Sequence, residues 1–458
     1  MRRALWLVCF ALLCVPSLSG QTINRSRYGI VEGLWLPQLA CELGVGWERI
    51  IFDWSEHQPT GEDDWNPFNV PDEWLKQADV CNREVVALLK HTPAWATDGL
   101  PSIGVPRGLH LPIDDPANLW AGFVRKVVRY YASRGVKHYI IWNEPDIEAG
   151  VYGYEFGGTL ADYAQMLKVA YLTAKATDPT TIIHLAGTTY WHDVNNGRTL
   201  YLDRLLTHLE QDPEAAAHGY YFEVVSLHIY FRSDSVLRII NDTRDILAQH
   251  NMMDKTIWIT ETNAAPTLDP EWEVDRPQFP LDLQQQAAFL WQMTVFALSA
   301  GVERIAVYKL YDQFLPPKGE SFGITNPATA QPRPAYYAWQ AIVRYLDDIE
   351  DIMQARTRTL YATQVRHTNG RDTFVLWARR DYATVATISA TGDKAYLIDQ
   401  EGNLTIVMPE NGVYNIALPP ARCDRNDGCY IGGVVRLLVQ PSGGAVVSEH
   451  GMTVPLLP

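Results

Sequence analysis

The sequence predicts an α/β fold, a (β/α)8 TIM barrel followed by a small C-terminal antiparallel β-sandwich. Three observations carry this. From Tyr28 to about Asp348, eight short runs rich in β-branched and aromatic residues alternate with longer amphipathic stretches, each unit occupying about forty residues. The runs are apolar almost end to end, as befits a parallel sheet covered by helices on its outer face. After Asp348 the texture changes, with turn pairs such as Asn369-Gly370, Glu401-Gly402 and Asn411-Gly412 separating alternating segments.

Taken in order, residues 1–20 read as a cleavable secretory signal: Arg2 and Arg3, an apolar run from Ala4 to Val15, then small residues around Ser17 and Ser19. The run is too short to span a bilayer, and no later segment reaches about 18 apolar residues without a charge, so a protein secreted to the extracellular space or periplasm, without a membrane span, is expected. Residues 21–348 form the predicted barrel. Its strands are "YGIVEGLW", "WERIIFDW", "EVVALLKH", "HYIIWNE", "TIIHLAGT", "FEVVSLHIY", "TIWITE" and "RIAVYKL". Helical spacing links Leu119, Phe123, Val127 and Tyr130, and Gly135 closes that helix. A doubly wound sheet would need a glycine-rich phosphate turn after the first strand, and none is present. Residues 349–458 supply "TFVLWARR", "YATVATIS" and "GGVVRLLVQ", the alternating strands of the sandwich.

The formal net charge of -15 makes nucleic acid an unsuitable partner. Cys423 and Cys429 bracket a polar "DRND" loop that an oxidising compartment would bridge, with free thiols as the alternative. Cys41 and Cys81 sit in helical stretches and suit either a bridge or buried thiols. The histidines form neither His-x-His nor His-Glu-x-x-His, and no phosphate loop or Cys-x-x-Cys occurs, so no metal and no cofactor is expected. The sequence sets no oligomeric state.

Two strands stop abruptly on an acid: "HYIIWNEPD" at Glu144 and "TIWITETN" at Glu261. As the fourth and seventh barrel strands, they would present both carboxyls at the carboxyl-terminal mouth, where barrel chemistry collects. An ionised carboxylate beside an apolar strand is costly unless something uses it. Two carboxyls held close push each other's titration apart, so that one stays protonated while the other ionises, the arrangement that serves glycoside cleavage.

With "WNEPD" and "ITET" at these strand ends, the chain resembles the clan A retaining glycoside hydrolases, most nearly the family of β-xylosidases and α-L-iduronidases, family 39. The resemblance implies that Glu144 is the general acid/base and Glu261 the nucleophile of a retaining double displacement on an equatorial bond, β-D or α-L, with Asn143 bonding the sugar 2-hydroxyl. It also implies that Arg49 supports the nucleophile; the alternative is a salt bridge to Glu48 or a helix acid. Alternation puts His228 and Tyr230 on one face of the sixth strand. The resemblance implies that Tyr230, at the end of that strand, hydrogen-bonds the nucleophile, and His228 is either a site residue or a satisfied core residue. His91 and Trp95 in "KHTPAWAT" follow the third strand, Trp95 being either a sugar platform or loop packing. Trp142 is expected in the core.

The eighth strand departs from the family, offering Tyr308, Lys309 and Tyr311 where many members place a tryptophan. Lys309 is left with three readings: recognition of an acidic sugar, a pair with Glu261, or a snorkelling rim lysine. The partner expected is a carbohydrate. A catalytically silent glycan-binding barrel and a transglycosylase using the same site are the competing functions.

Overall fold

The computed structural model describes residues 27–275, 277–423 and 429–457. The signal segment expected at 1–20 lies outside them. Strands β1 (Tyr28–Val31), β2 (Trp47–Asp53), β3 (Glu84–Lys90), β4 (His138–Ile141), β5 (Ile182–His184), β6 (Thr188–Thr189), β7 (Val224–Tyr230), β8 (Thr256–Asn263) and β9 (Arg304–Val307) form one parallel sheet. Its order is β5-β4-β3-β2-β1-β9-β8-β7-β6, and β5 also pairs with β7, which closes the barrel. β5 and β6 are two pieces of the fifth barrel strand, so the barrel has eight staves. β8 is its seventh.

The lumen is filled by side chains. Trp47 and Trp258 meet at 5.2 Å between ring centroids, packed with Val31, Val86, Leu88, Ile140 and Ala306. Each buried indole withdraws roughly 200 Å² from water, an upper bound of about 5 kcal/mol. Gly29 is required by this packing, because a Cβ there would lie 2.3 Å from the Trp47 ring.

The outer helices start where the sequence marks them. Thr159 and Asp162 form a reciprocal capping box on the helix Leu160–Thr177, and Asp282 and Gln285 do the same on Leu283–Ser299. Such caps contribute about 1 kcal/mol each. In the helix Leu119–Tyr131 the buried stripe lies one residue further round than the spacing suggests: Tyr131 is fully buried and Tyr130 only partly. Gly135 closes the segment in the left-handed region, at φ 93°.

Past the helix Pro334–Tyr345 the chain becomes antiparallel. One sheet holds β10 (Ile349–Arg356), β11 (Leu360–His367), β12 (Arg371–Ala378), β14 (Ala395–Asp399), β15 (Leu404–Val407) and β17 (Arg436–Pro441). The other holds β13 (Thr384–Ser389), β16 (Val413–Leu418), β18 (Val447–Glu449) and β19 (Met452–Val454). The sandwich is fastened to the barrel helix Leu283–Ser299: Trp291 Nε1 donates to the Gln400 carbonyl (2.8 Å), and Gln292 donates to the Gly433 carbonyl while accepting from Gly432 N–H. Val365, Val375, Trp377 and Leu437 of the sandwich belong to the same apolar cluster as the barrel's helical layer.

Disulfides join Cys423 to Cys429 and Cys41 to Cys81. The second pair sets aside the buried-thiol reading: helix and loop bring the two Cα atoms to 5.5 Å, within bridging reach. Among the described residues no helix is long and apolar enough to cross a membrane.

Candidate active site

The Asn-Glu-Pro turn is clamped on both sides. Trp142 N–H donates to the Leu89 carbonyl of β3 (3.0 Å), and Glu144 N–H donates to the Gly187 carbonyl between β5 and β6 (3.0 Å). Trp142 (φ 70°) and Glu144 (φ 41°) are both in the left-handed region, a conformation that costs non-glycine residues about 1–3 kcal/mol and persists where neighbours over-determine it. Trp142 is fully buried, as expected, and donates to the Glu155 carbonyl. Gly187 must be glycine because a Cβ would sit 2.0 Å from His228 Nε2.

Glu261 is placed by an irregularity. The β7–β8 register shifts between Leu227 and His228, so His228 pairs with Glu261 and Tyr230 with Asn263. Arg49, from β2, binds Glu261 Oε1 through Nη2, both side chains being under a tenth exposed. Tyr230 Oη donates to Glu261 Oε2 at 2.5 Å. His228 Nδ1 lies 2.6 Å from Glu144 Oε1 and 3.6 Å from Glu261 Oε2. An oxygen of each carboxyl and a nitrogen of His228 all fall within 4.8 Å of one another. That donor set is one a cation would also use, but here Glu261 already accepts from Arg49 and Tyr230 and Glu144 adjoins His228. Arg49 is therefore on the glutamate and not on Glu48, which pairs with Arg83.

The environments push the two acids apart. For Glu144 burial is the largest influence and raises its pKa; His228 opposes, the charges of Glu261 and Glu155 add to the rise, and the net is upward. Burial also acts upward on Glu261 but is outweighed by the Arg49 charge, His228 and the Tyr230 hydrogen bond, so its carboxyl is held well below the usual range. Burial would lower His228, yet the two glutamates carry it upward. The two carboxyls are thus pushed in opposite directions, the separation that lets one member of such a pair stay protonated while the other ionises.

Around this centre lie acid-base pairs that the sequence reading missed. Glu155 accepts from Lys90 Nζ (2.5 Å) and from Asn143 Nδ2 (3.0 Å), leaving Asn143 Oδ1 buried without a protein partner among the described residues. His91 Nδ1 meets Asp53 Oδ2 at 2.5 Å. Lys309 pairs with Glu32. This corrects two readings of Lys309: it is not on Glu261, and at 15% exposure it is no snorkelling rim lysine. It also matches the charge that acidic-sugar recognition would have left free. Closure of β1 on β9 brings that pair together across 277 residues. Trp95 is half-buried, its Nε1 donating to the Gln58 carbonyl (2.6 Å) and its ring edge-on to Trp54.

No family model matches the chain, and neither does any curated protein. Solved structures do. The chain is similar to a family 39 glycoside hydrolase from the gut symbiont Bacteroides cellulosilyticus WH2, at TM-score 0.67 and 15% identity over 92% of this chain and 82% of that one. It is similar to a GH39 β-xylosidase from Caulobacter crescentus, at TM-score 0.60 and 14% identity over 92% and 96%. A GH30 endoxylanase from Clostridium papyrosolvens C71 aligns at TM-score 0.58 and 13% identity over 91% and 96%. The class these define is a fold: the (β/α)8 barrel with an appended β-sandwich on which those glycoside hydrolases are built.

Proposed function

We propose that the protein is a secreted glycoside hydrolase that cleaves equatorial O-glycosidic bonds, β-D or α-L, with retention of configuration. The observation that carries this is the approach of the two carboxyls, an oxygen of one lying within 4.8 Å of an oxygen of the other, together with the opposite directions in which their surroundings push their pKa values. Double displacement uses carboxyls about 5–5.5 Å apart, whereas inversion needs about 6.5–9.5 Å to admit a water. In the first step Glu144 gives its proton to the departing oxygen while a Glu261 oxygen attacks the anomeric carbon, forming the glycosyl ester. In the second, Glu144, now the base, takes a proton from water, which displaces Glu261 and releases the sugar. Arg49 and Tyr230 hold Glu261 in place and ionised, and His228 spans both acids. Asn143, docked on Glu155, faces the sugar's 2-hydroxyl.

Lys309 and Lys90 are each matched by a carboxylate, so the reading favours a neutral sugar over a uronate. The solved neighbours described as a β-xylosidase and an endoxylanase support the same choice. The two disulfides support export from the reducing cytosol.

The test is a panel of aryl β-D- and α-L-glycosides with wild type, Glu144→Ala and Glu261→Ala. Azide should restore turnover in both variants, giving the β-azide from Glu144→Ala on a β-glycoside and the opposite anomer from Glu261→Ala. Full activity in either variant removes that residue from the mechanism. Glycan binding without turnover of any substrate would establish the silent barrel instead.

A further inference from the structure

At the seam between barrel and sandwich lies a cavity of about 220 Å³ that the proposed hydrolysis does not use. Strand register builds one wall: Arg356 of β10 pairs with Tyr361 of β11, and Tyr361 pairs with Trp377 of β12, so the three stand side by side in one row. Arg379 and Arg380 follow Trp377 directly and line the same space. The opposite wall is Ser233 and Asp234, just beyond β7.

The charge in this cavity is unbalanced. The chain carries 53 acidic residues against 38 lysines and arginines, so carboxylates are plentiful. Even so, none of the three guanidinium groups lies within 4.0 Å of a carboxylate among the described residues. Asp234, the acid on the facing wall, is committed to Arg232 at 3.2 Å. Partial compensation comes from Tyr361, whose ring centroid lies 4.9 Å from the Arg379 guanidinium carbon and 5.6 Å from that of Arg356. Tyr361 is itself stacked on Trp377, which fixes its ring. Each guanidinium carries five N–H donors, and among the described residues the one protein acceptor they meet is the Thr357 carbonyl, taken by Arg379. Burial, then the like charges of Arg356 and Arg380, lowers the Arg379 pKa, as expected for a cluster lacking its counterion.

We infer that this seam cavity is a binding site for an oxyanion, a sulfate or carboxylate group, clamped by Arg356, Arg379 and Arg380. Its volume suits one such group, free or borne on a single sugar, and not a length of glycan. Forked donors match planar or tetrahedral oxygens in pairs. The inference is independent of the proposed hydrolysis.

The full chain is titrated calorimetrically with sodium sulfate and, at equal ionic strength, sodium chloride; glucuronate and glucose are the second pair of probes. Wild type is expected to bind sulfate saturably and chloride not, with affinity reduced roughly tenfold or more in Arg356→Gln and in Arg380→Gln. Both variants should fold, because removing one like charge relieves repulsion, and their unliganded melting temperatures serve as the check. Sulfate stabilises many proteins by exclusion from their surface, so the variants and not the sulfate effect alone decide. Competition by glucuronate but not glucose would identify a sugar-borne carboxylate as the occupant; binding of sulfate alone would identify a sulfate group. Sulfate heats no different from chloride, or binding undiminished in both variants, would overturn the assignment.

Discussion

Replacing Arg49 by methionine tests the division of labour between the two glutamates. Arg49 is the largest of the influences that hold Glu261 ionised, and both side chains are nearly sealed from water. A hydrogen bond to a buried charge contributes about 1.5–3 kcal/mol. At 1.36 kcal/mol per pKa unit, its loss should raise the Glu261 pKa by about one to two units. Glu261 is depressed in the folded state, so its stabilising contribution is complete above the unfolded carboxyl pKa and fades as pH falls through the folded one. In Arg49→Met the acid limb of kcat/KM should therefore move up by about one to two pH units. The variant should also lose about 3–5 kcal/mol of stability near neutrality, where the orphaned carboxylate stays buried. The assay is a pH profile on an activated aryl glycoside, with urea unfolding alongside. Arg49→Lys, which keeps the charge but not the fork, should hold the acid limb near its original position while slowing turnover. A folded Arg49→Met enzyme with an unmoved acid limb would refute the reasoning.

Glu144→Gln should cut turnover of alkyl glycosides by about 10²–10⁴, with a much smaller loss on dinitrophenyl glycosides, whose leaving group needs no proton; equal losses on both would contradict the acid role. Glu155→Gln removes a charge that helps keep Glu144 protonated, so the basic limb should shift to lower pH, and the loosened Asn143 should raise KM; a profile identical to wild type would free Glu155 of that role. The double variant Cys41→Ser/Cys81→Ser should lose up to about 4 kcal/mol in urea unfolding, from a loop closed across 40 residues, with kcat unchanged.

The barrel was legible because period and length agree at every unit, and the acids because each breaks an apolar run where nothing structural needs a charge, although Glu144 lies three residues past the end of β4 and Glu261 two residues before the end of β8. That His228 and Tyr230 share one face followed from strand alternation, while the hydrogen bond from Tyr230 to Glu261 was an expectation of the family resemblance and the place of His228 was left open. The partners of the site's cations were not legible. Glu32 and Glu155 lie outside the strands and helices and Asp53 ends β2, none of them in a periodic pattern that points to Lys309, Lys90 or His91, which they meet only in the folded barrel. The misreading of Lys309 has the same origin, since its partner Glu32 directly follows the first stave and no local pattern connects them. Cys41 and Cys81 stayed open because residue spacing does not determine connectivity. The division of the fifth stave into β5 and β6 was hidden in "TIIHLAGT", which reads as one run although pairing lapses after His184 and Gly187 leaves room for the His228 imidazole.

The fastening of the β-sandwich to the helix Leu283–Ser299 has a practical corollary. A chain cut after Asp348 would strip Trp291 and Gln292 of their acceptors and lay open an oily flank of the barrel. The appendage is thus no detachable module. Heat should melt the two halves in one calorimetric transition, and grafting a foreign carbohydrate-binding module in its place should yield aggregates.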